Sequence, residues 1–144
     1  MSDAHLTTTV ADPAAELTGP RTLSIDIGGS GVKALILDPA GEALMDRQRV
    51  PTPDPSTPQA VLAAISSLIG NLGEYERVSC GFPGVVVEGV VHTAPNLSSE
   101  WRGFPLADAL GALTSRMARV ANDADVQGLG VVEGRGVELV LTLG

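Results

Sequence analysis

The stretch "SIDIGGSGVKALILD", residues 24–38, constrains the fold more than any other part of this 144-residue chain. It sets a Gly-Gly-Ser-Gly turn between two apolar runs, with Asp26 just before the glycines and Lys33 just after. Gly29, Gly31 and Ala34 nearly meet the dinucleotide pattern G-x-G-x-x-G/A. That pattern works only where a helix starts at the glycines. Here residues 32–37 are rich in Val, Leu and Ile, and Asp38-Pro39 follows at once, too soon for a crossover helix. The strict nucleotide loop G-x-x-x-x-G-K-[ST] is also missing, since no Ser or Thr follows Lys33. Residues 22–27 and 32–37 therefore read as two antiparallel strands joined by the glycine turn.

Such a turn can still hold phosphate. Without Cβ atoms, successive N–H groups can converge on one concavity, and the Ser30 hydroxyl adds a donor. Lys33 adds a positive charge if it faces the same mouth. Asp26 would repel bare phosphate but suits a Mg²⁺ ion lying between them. The same residues also read as an ordinary hairpin carrying an exposed lysine.

Further along, residues 38–41 form a turn and residues 43–50 a third, edge strand. The proline-rich connector "PTPDPSTP" follows. Thr57 can cap a helix with Pro58 at its first position, where a missing N–H costs nothing. Val61, Leu62, Ile65, Leu68 and Ile69 recur at helical spacing, and Gly70 or Gly73 ends that helix. Residues 77–82 read as a buried strand. Residues 85–87 and 90–92 flank a Glu88-Gly89 hairpin turn. Residues 106–113 read as a helix running on to about Met117, residues 119–121 as a strand, 123–132 as a helix and 137–144 as a last strand. This order predicts an α/β fold with a mixed sheet flanked by helices. Residues 1–20 lack periodicity and read as a disordered leader without the features of a signal peptide.

Bulk composition narrows the function. The net charge of −8 and the lack of a basic run argue against nucleic acid as a partner. No apolar run reaches the roughly 18 residues of a membrane span. The single cysteine, Cys80, cannot form an internal disulfide, and no Cys/His cluster offers zinc. A reducing cytoplasm fits that cysteine usage. Cys80 itself reads as a buried core thiol.

Three further motifs carry polar groups to the ends of strands. "GFPGVV" puts Gly84 just after a buried strand, "APNLSSEW" puts Asn96 in a loop, and "VANDAD" puts Asn122 and Asp123 at a strand–helix junction. A carboxamide donates and accepts, so it reads hydroxyls well. Each has a plainer reading: Asp123 as a helix cap, Asn122 as a turn residue, Asn96 in an Asx-turn, Trp101 as a loop anchor. Asp125 is expected to face elsewhere, and neither His5 nor His92 is a strong base candidate.

Taken together, "IDIGGSGVK", "GFPGVV", "APNLSSEW" and "ANDAD" resemble the ROK family of sugar kinases, in that order and at comparable spacing. "VPTPDPSTPQAV" and "GVVVEGVVHTAPNL" look most like polyphosphate/ATP-dependent glucokinases. The resemblance implies an actin/hexokinase-like (ribonuclease H-like) lobe over residues 21–144, with the family's second lobe absent. It implies that Asp26, Gly28, Gly29, Ser30 and Lys33 form the first phosphate loop, with Asp26 toward Mg²⁺. Gly84, Asn96, Asn122 and Asp123 would line the sugar pocket, and Asp123 would be the base that deprotonates the 6-hydroxyl of glucose. The donor would be ATP or polyphosphate. A lone lobe is not expected to be competent by itself. The alternative is a non-catalytic sugar-binding or regulatory module of the same family. Apolar surface left uncovered at residues 139–144 predicts association, as a homodimer, or low solubility.

Overall fold

Alternation along the first strand decides the layers. In β1 (Thr22–Ile27), Leu23, Ile25 and Ile27 are buried while Ser24 and Asp26 stay half-buried. β2 (Gly31–Leu37) pairs with it antiparallel, and its Val32, Ala34 and Ile36 are buried in turn. The register sets Ile25 opposite Ala34 and Asp26 opposite Lys33. A period of two thus sends Leu23, Ile25, Ile27, Val32, Ala34 and Ile36 to one face and both charges, with Leu35 and Leu37, to the other. The computed structural model describes residues 18–129. The last strand expected from the sequence, residues 137–144, lies outside them, as do residues 1–17 of the leader and the end of the final helix.

The sheet runs β3-β2-β1-β4-β7. β4 (Arg77–Phe82) lies parallel to β1, and β7 (Met117–Asn122) lies parallel to β4. β5 (Val86–Val87) and β6 (Val90–Val91) form a separate hairpin turning at Glu88 and Gly89. Both turn residues have positive φ, +50° and +80°, as the right-handed twist of a tight hairpin requires.

α1 (Pro58–Ile69) packs on β2 and β3, and α2 (Leu106–Thr114) packs on β7, β4 and β6. Val61 and Ile65 of α1 and Leu106 and Leu110 of α2 join the buried residues of β1, β2 and β4 in one core. Burying each such side chain contributes about 1.5–3 kcal/mol. The Thr57 hydroxyl accepts from the Ala60 N–H at 3.2 Å, with Pro58 at the first position, as the sequence predicts. α3 (Asp123–Leu129) starts where β7 ends.

Two expectations are corrected. The third strand, β3, occupies Gln48–Pro51 rather than residues 43–50, and Ala43 makes only an isolated bridge to Leu37. The segment between them mixes charges with two apolar residues and follows a turn that Asp38 organises through its own side chain, accepting from the Ala40 and Glu42 N–H groups. Second, α2 stops at Thr114 instead of reaching Met117, because Ser115 adopts a left-handed conformation (φ +54°) that ends a helix. Met117 then opens β7, which is longer than the three residues expected.

Candidate active site

The carboxyl ends of the three parallel strands gather the polar residues singled out in the sequence. β1 ends in the turn Gly28–Ser30, β4 runs into Pro83-Gly84, and β7 delivers Asn122 and Asp123. Register makes this grouping unavoidable: Asp26 lies beside Gly81, and Phe82 beside Asn122. A Cβ added to Gly81 would sit 3.7 Å from Asp26 Oδ1, 3.7 Å from Asp123 Cα and 3.8 Å from Asp123 Cβ. Asp26 and Asp123 therefore flank the same bare patch of backbone, on the sheet face opposite the core. Gly81 is a residue that the motif reading passed over. A glycine inside a buried strand, as in "SCGFP", was the available signal, since it marks a close approach.

Lys33 faces that mouth. Its Nζ stands 3.5 Å from Asp26 Oδ2, with both side chains partly exposed. Gly28 N–H donates to Gly31 O at 2.9 Å and closes the turn. Among the described residues, the N–H groups of Gly29 and Ser30 have no protein partner. Two contacts around this turn were missed. The Thr52 hydroxyl donates to Gly28 O at 2.5 Å, and the Thr52 N–H points at Ser30 O at 3.4 Å. The Arg49 guanidinium lies where a Cβ of Gly31 would be, so only glycine allows it there. Cross-strand pairing of Lys33 with Arg49 puts both cations on one face. Sequence spacing does not show this, because the register of β3 against β2 sets it.

Asn96 comes to the turn from the other side. A Cβ on Gly29 would stand 3.5 Å from Asn96 Cβ. The Asn96 carboxamide is exposed and makes no hydrogen bond among the described residues, so it serves no Asx-turn. The loop is closed by backbone instead, Leu97 N–H donating to Ala94 O at 3.2 Å. Trp101 is the anchor beneath it, fully buried against Phe82 and Phe104 at centroid distances of 4.9 and 5.5 Å.

Asn122, rather than Asp123, is the chief cap of α3. Its Oδ1 accepts from Ala124 N–H at 2.9 Å and Asp125 N–H at 3.4 Å, while Nδ2 donates to Gly84 O at 2.8 Å. One Nδ2–H is left for a ligand. Asp123 Oδ1 also accepts from the Ala124 N–H at 2.8 Å, leaving its second oxygen without a protein partner among the described residues. Asp125 is exposed. Gly84 is buried, and any side chain there would collide with the Thr93 carbonyl. It therefore holds the β4 end against the segment that leads to Asn96. Beneath the mouth, burial and then the charge of Asp26 push the Cys80 thiol well above its ordinary range.

No group of three or more His, Cys, Asp or Glu side chains that could hold a metal by itself occurs among the described residues. A pair of carboxylates across Gly81 suits a hard cation that keeps most of its water, as Mg²⁺ does. No described helix is long and apolar enough to cross a membrane.

A mixed sheet of this order, with two helices on one face and polar residues at the carboxyl ends of its parallel strands, defines a lobe of the actin/hexokinase-like fold. The crystal structure of an inorganic polyphosphate/ATP-glucomannokinase from Arthrobacter sp. strain KM matches it with a TM-score of 0.70 at 36% identity, over 77% of this chain and 47% of that one. A ROK family glucokinase from Streptomyces griseus, solved with glucose and AMPPNP, matches with a TM-score of 0.68 at 30% identity, over 78% and 36%. The chain belongs to the ROK family, whose family model matches residues 22–135. It is 38% identical over 136 residues to the polyphosphate glucokinase of Mycobacterium leprae (strain TN), covering 93% of this chain and 41% of that curated relative. The chain thus spans about two fifths of that relative's length.

Proposed function

We propose that this chain is the sugar-holding half of a glucokinase-type kinase that moves a phosphoryl group from polyphosphate or ATP to the 6-hydroxyl of glucose. The observation that carries the reading is the approach of Asp26 and Asp123 to the same patch of Gly81, with the glycine turn and Asn96 alongside. Likeness to a polyphosphate glucokinase and to a glucokinase solved with glucose supports glucose as acceptor.

In this reading Asn96, the remaining Asn122 N–H and Asp123 hold the sugar hydroxyls, and Gly84 shapes the wall. Asp123 takes the proton of the 6-hydroxyl through its second oxygen. The sugar oxygen forms a bond to the terminal phosphorus as the bond to the donor's bridging oxygen breaks, and the electron pair leaves with the shortened donor. The N–H groups of Gly29 and Ser30, with Lys33, face the phosphate charge, where donors already in position stabilise most. Mg²⁺ would supply neutralisation of the phosphate charge, and Asp26 is the carboxylate that would hold its water shell.

The sequence beyond the matched region of the relatives would supply the rest of the donor side. A chimera joining this chain to the part of the M. leprae enzyme that follows the match tests the assignment. It should form phosphorylated glucose, and Asp123→Asn should lower its rate on the order of 10²–10⁴-fold, the usual contribution of one positioned base. Unaltered turnover in Asp123→Asn would overturn the role of Asp123. A non-catalytic sugar-binding module, holding sugar through Asn96, Asn122 and Asp123, is the second reading. It predicts an inactive chimera together with glucose binding by the chain in calorimetry, weakened by Asn96→Ala.

A further inference from the structure

The connector at residues 51–57 touches both halves of the mouth. At one end Thr52 binds the glycine turn twice, its hydroxyl donating to Gly28 O at 2.5 Å and its N–H approaching Ser30 O at 3.4 Å. At the other end Ser56 binds the Asn96 loop twice. Its hydroxyl accepts from Ser98 N–H at 3.0 Å, and its carbonyl accepts from the Trp101 indole N–H at 2.7 Å. Between these ends a side chain added at Gly29 would touch Asn96, 3.5 Å from its Cβ. Thr52 and Ser56 are four residues apart, with Pro53 and Pro55 between them. Two fixed φ angles make that spacer stiff. Below it, Trp101 packs against Phe82 and Phe104.

The hydrogen bonds also have a direction. Thr52 takes up the carbonyls of Gly28 and Ser30, so those oxygens are turned toward the connector. An oxygen aimed into the mouth would repel phosphate. Drawn the other way, the two carbonyls leave the Gly29 and Ser30 N–H groups as what the turn can offer an anion.

We infer that the connector is a strut that sets the glycine turn against the Asn96 loop, with Thr52 as the positioning residue for the turn. The inference rests on the reading of that turn as a phosphate site. Thr52 touches no substrate; it acts through Gly28 and Ser30.

The single tryptophan offers a reporter, because its indole N–H is bonded to the strut. The experiment uses the 144-residue chain, with tripolyphosphate as the probe, calorimetry for affinity and Trp101 fluorescence for the far end of the strut. In the wild-type chain, tripolyphosphate binds and changes the Trp101 emission. Thr52→Val, which keeps the shape but removes the hydroxyl, weakens binding roughly tenfold, the loss one hydrogen bond can carry, and silences the emission change. Thr52→Ser restores both to within about twofold, which a role in shape alone would not do. Wild-type binding together with unchanged affinity and emission in Thr52→Val overturns the strut and leaves the phosphate site standing. No binding by the wild-type chain removes both. Should Thr52→Val fail to fold, Ser56→Ala, which removes the hydroxyl that accepts from the Ser98 N–H at the far end, must still weaken tripolyphosphate binding in calorimetry. Unchanged affinity there overturns the inference.

Discussion

At the scale of single residues, Cys80 shows how the mouth and the core meet. Its side chain points into the core between Ile25 and Val120, while Asp26 lies just across the sheet. Burial first and the Asp26 charge second raise its thiol. The folded chain therefore keeps a proton that the unfolded chain loses above about pH 8.5. Fewer protons on the unfolded state mean that stability falls as pH rises past that value, by up to about 1.4 kcal/mol per pH unit. Urea titrations across the alkaline range should show that slope in the wild-type chain and a shallower one in Cys80→Ala. Equal slopes would show that the thiol is not the group responsible. Glycines at this scale were only partly legible. Gly28 and Gly29 announced a turn, but Gly31 and Gly84 owe their lack of a side chain to Arg49 and to the Thr93 carbonyl, partners distant in sequence.

At the scale of elements, local rules did well where one segment decides its own shape. The cap at Thr57, the period of α1, the Glu88-Gly89 hairpin and the antiparallel pairing of β1 with β2 all follow from neighbours in the chain. Thr57→Ala should cost about 1 kcal/mol, because it deprives the Ala60 N–H of its acceptor while leaving the core untouched. Chemical denaturation would read this as a lower midpoint at unchanged slope. Boundaries were less legible where a neighbour across the sheet decides. β3 begins at Gln48 because that is where it meets β2, and β7 begins at Met117 because β4 meets it there. Helical spacing carried the expected α2 past Thr114, since nothing local distinguishes Ser115 from another helical residue.

At the scale of the whole molecule, the two faces of the sheet differ. One is filled by α1 and α2. On the other, Thr22, Ser24, Leu37, Ser79, Met117 and Val126 line a cavity of about 610 Å³, at the end of the strands away from Asp123. Met117 is 73% exposed, the most exposed of the large apolar side chains described. Asp38, Arg77 and Arg119 line the same cavity, so Met117 is an isolated apolar side chain among charges. Met117→Lys should therefore leave stability within about 0.5 kcal/mol of the wild-type chain in urea denaturation; a larger loss would show that this face is packed in the folded chain. The family was legible in the sequence because its motifs are local: a turn, two loops and a strand–helix junction, each a few residues long. Strand pattern and the order of elements were legible for the same reason, since alternation and spacing are properties of adjacent residues. Only the tertiary structure decided that Asp26 and Asp123, nearly a hundred residues apart, share Gly81, and that Thr52 and Ser56 brace the turn against the Asn96 loop. Those contacts depend on which strands pair and in what register, and register is set by how the apolar faces pack together, not by any one stretch of the chain.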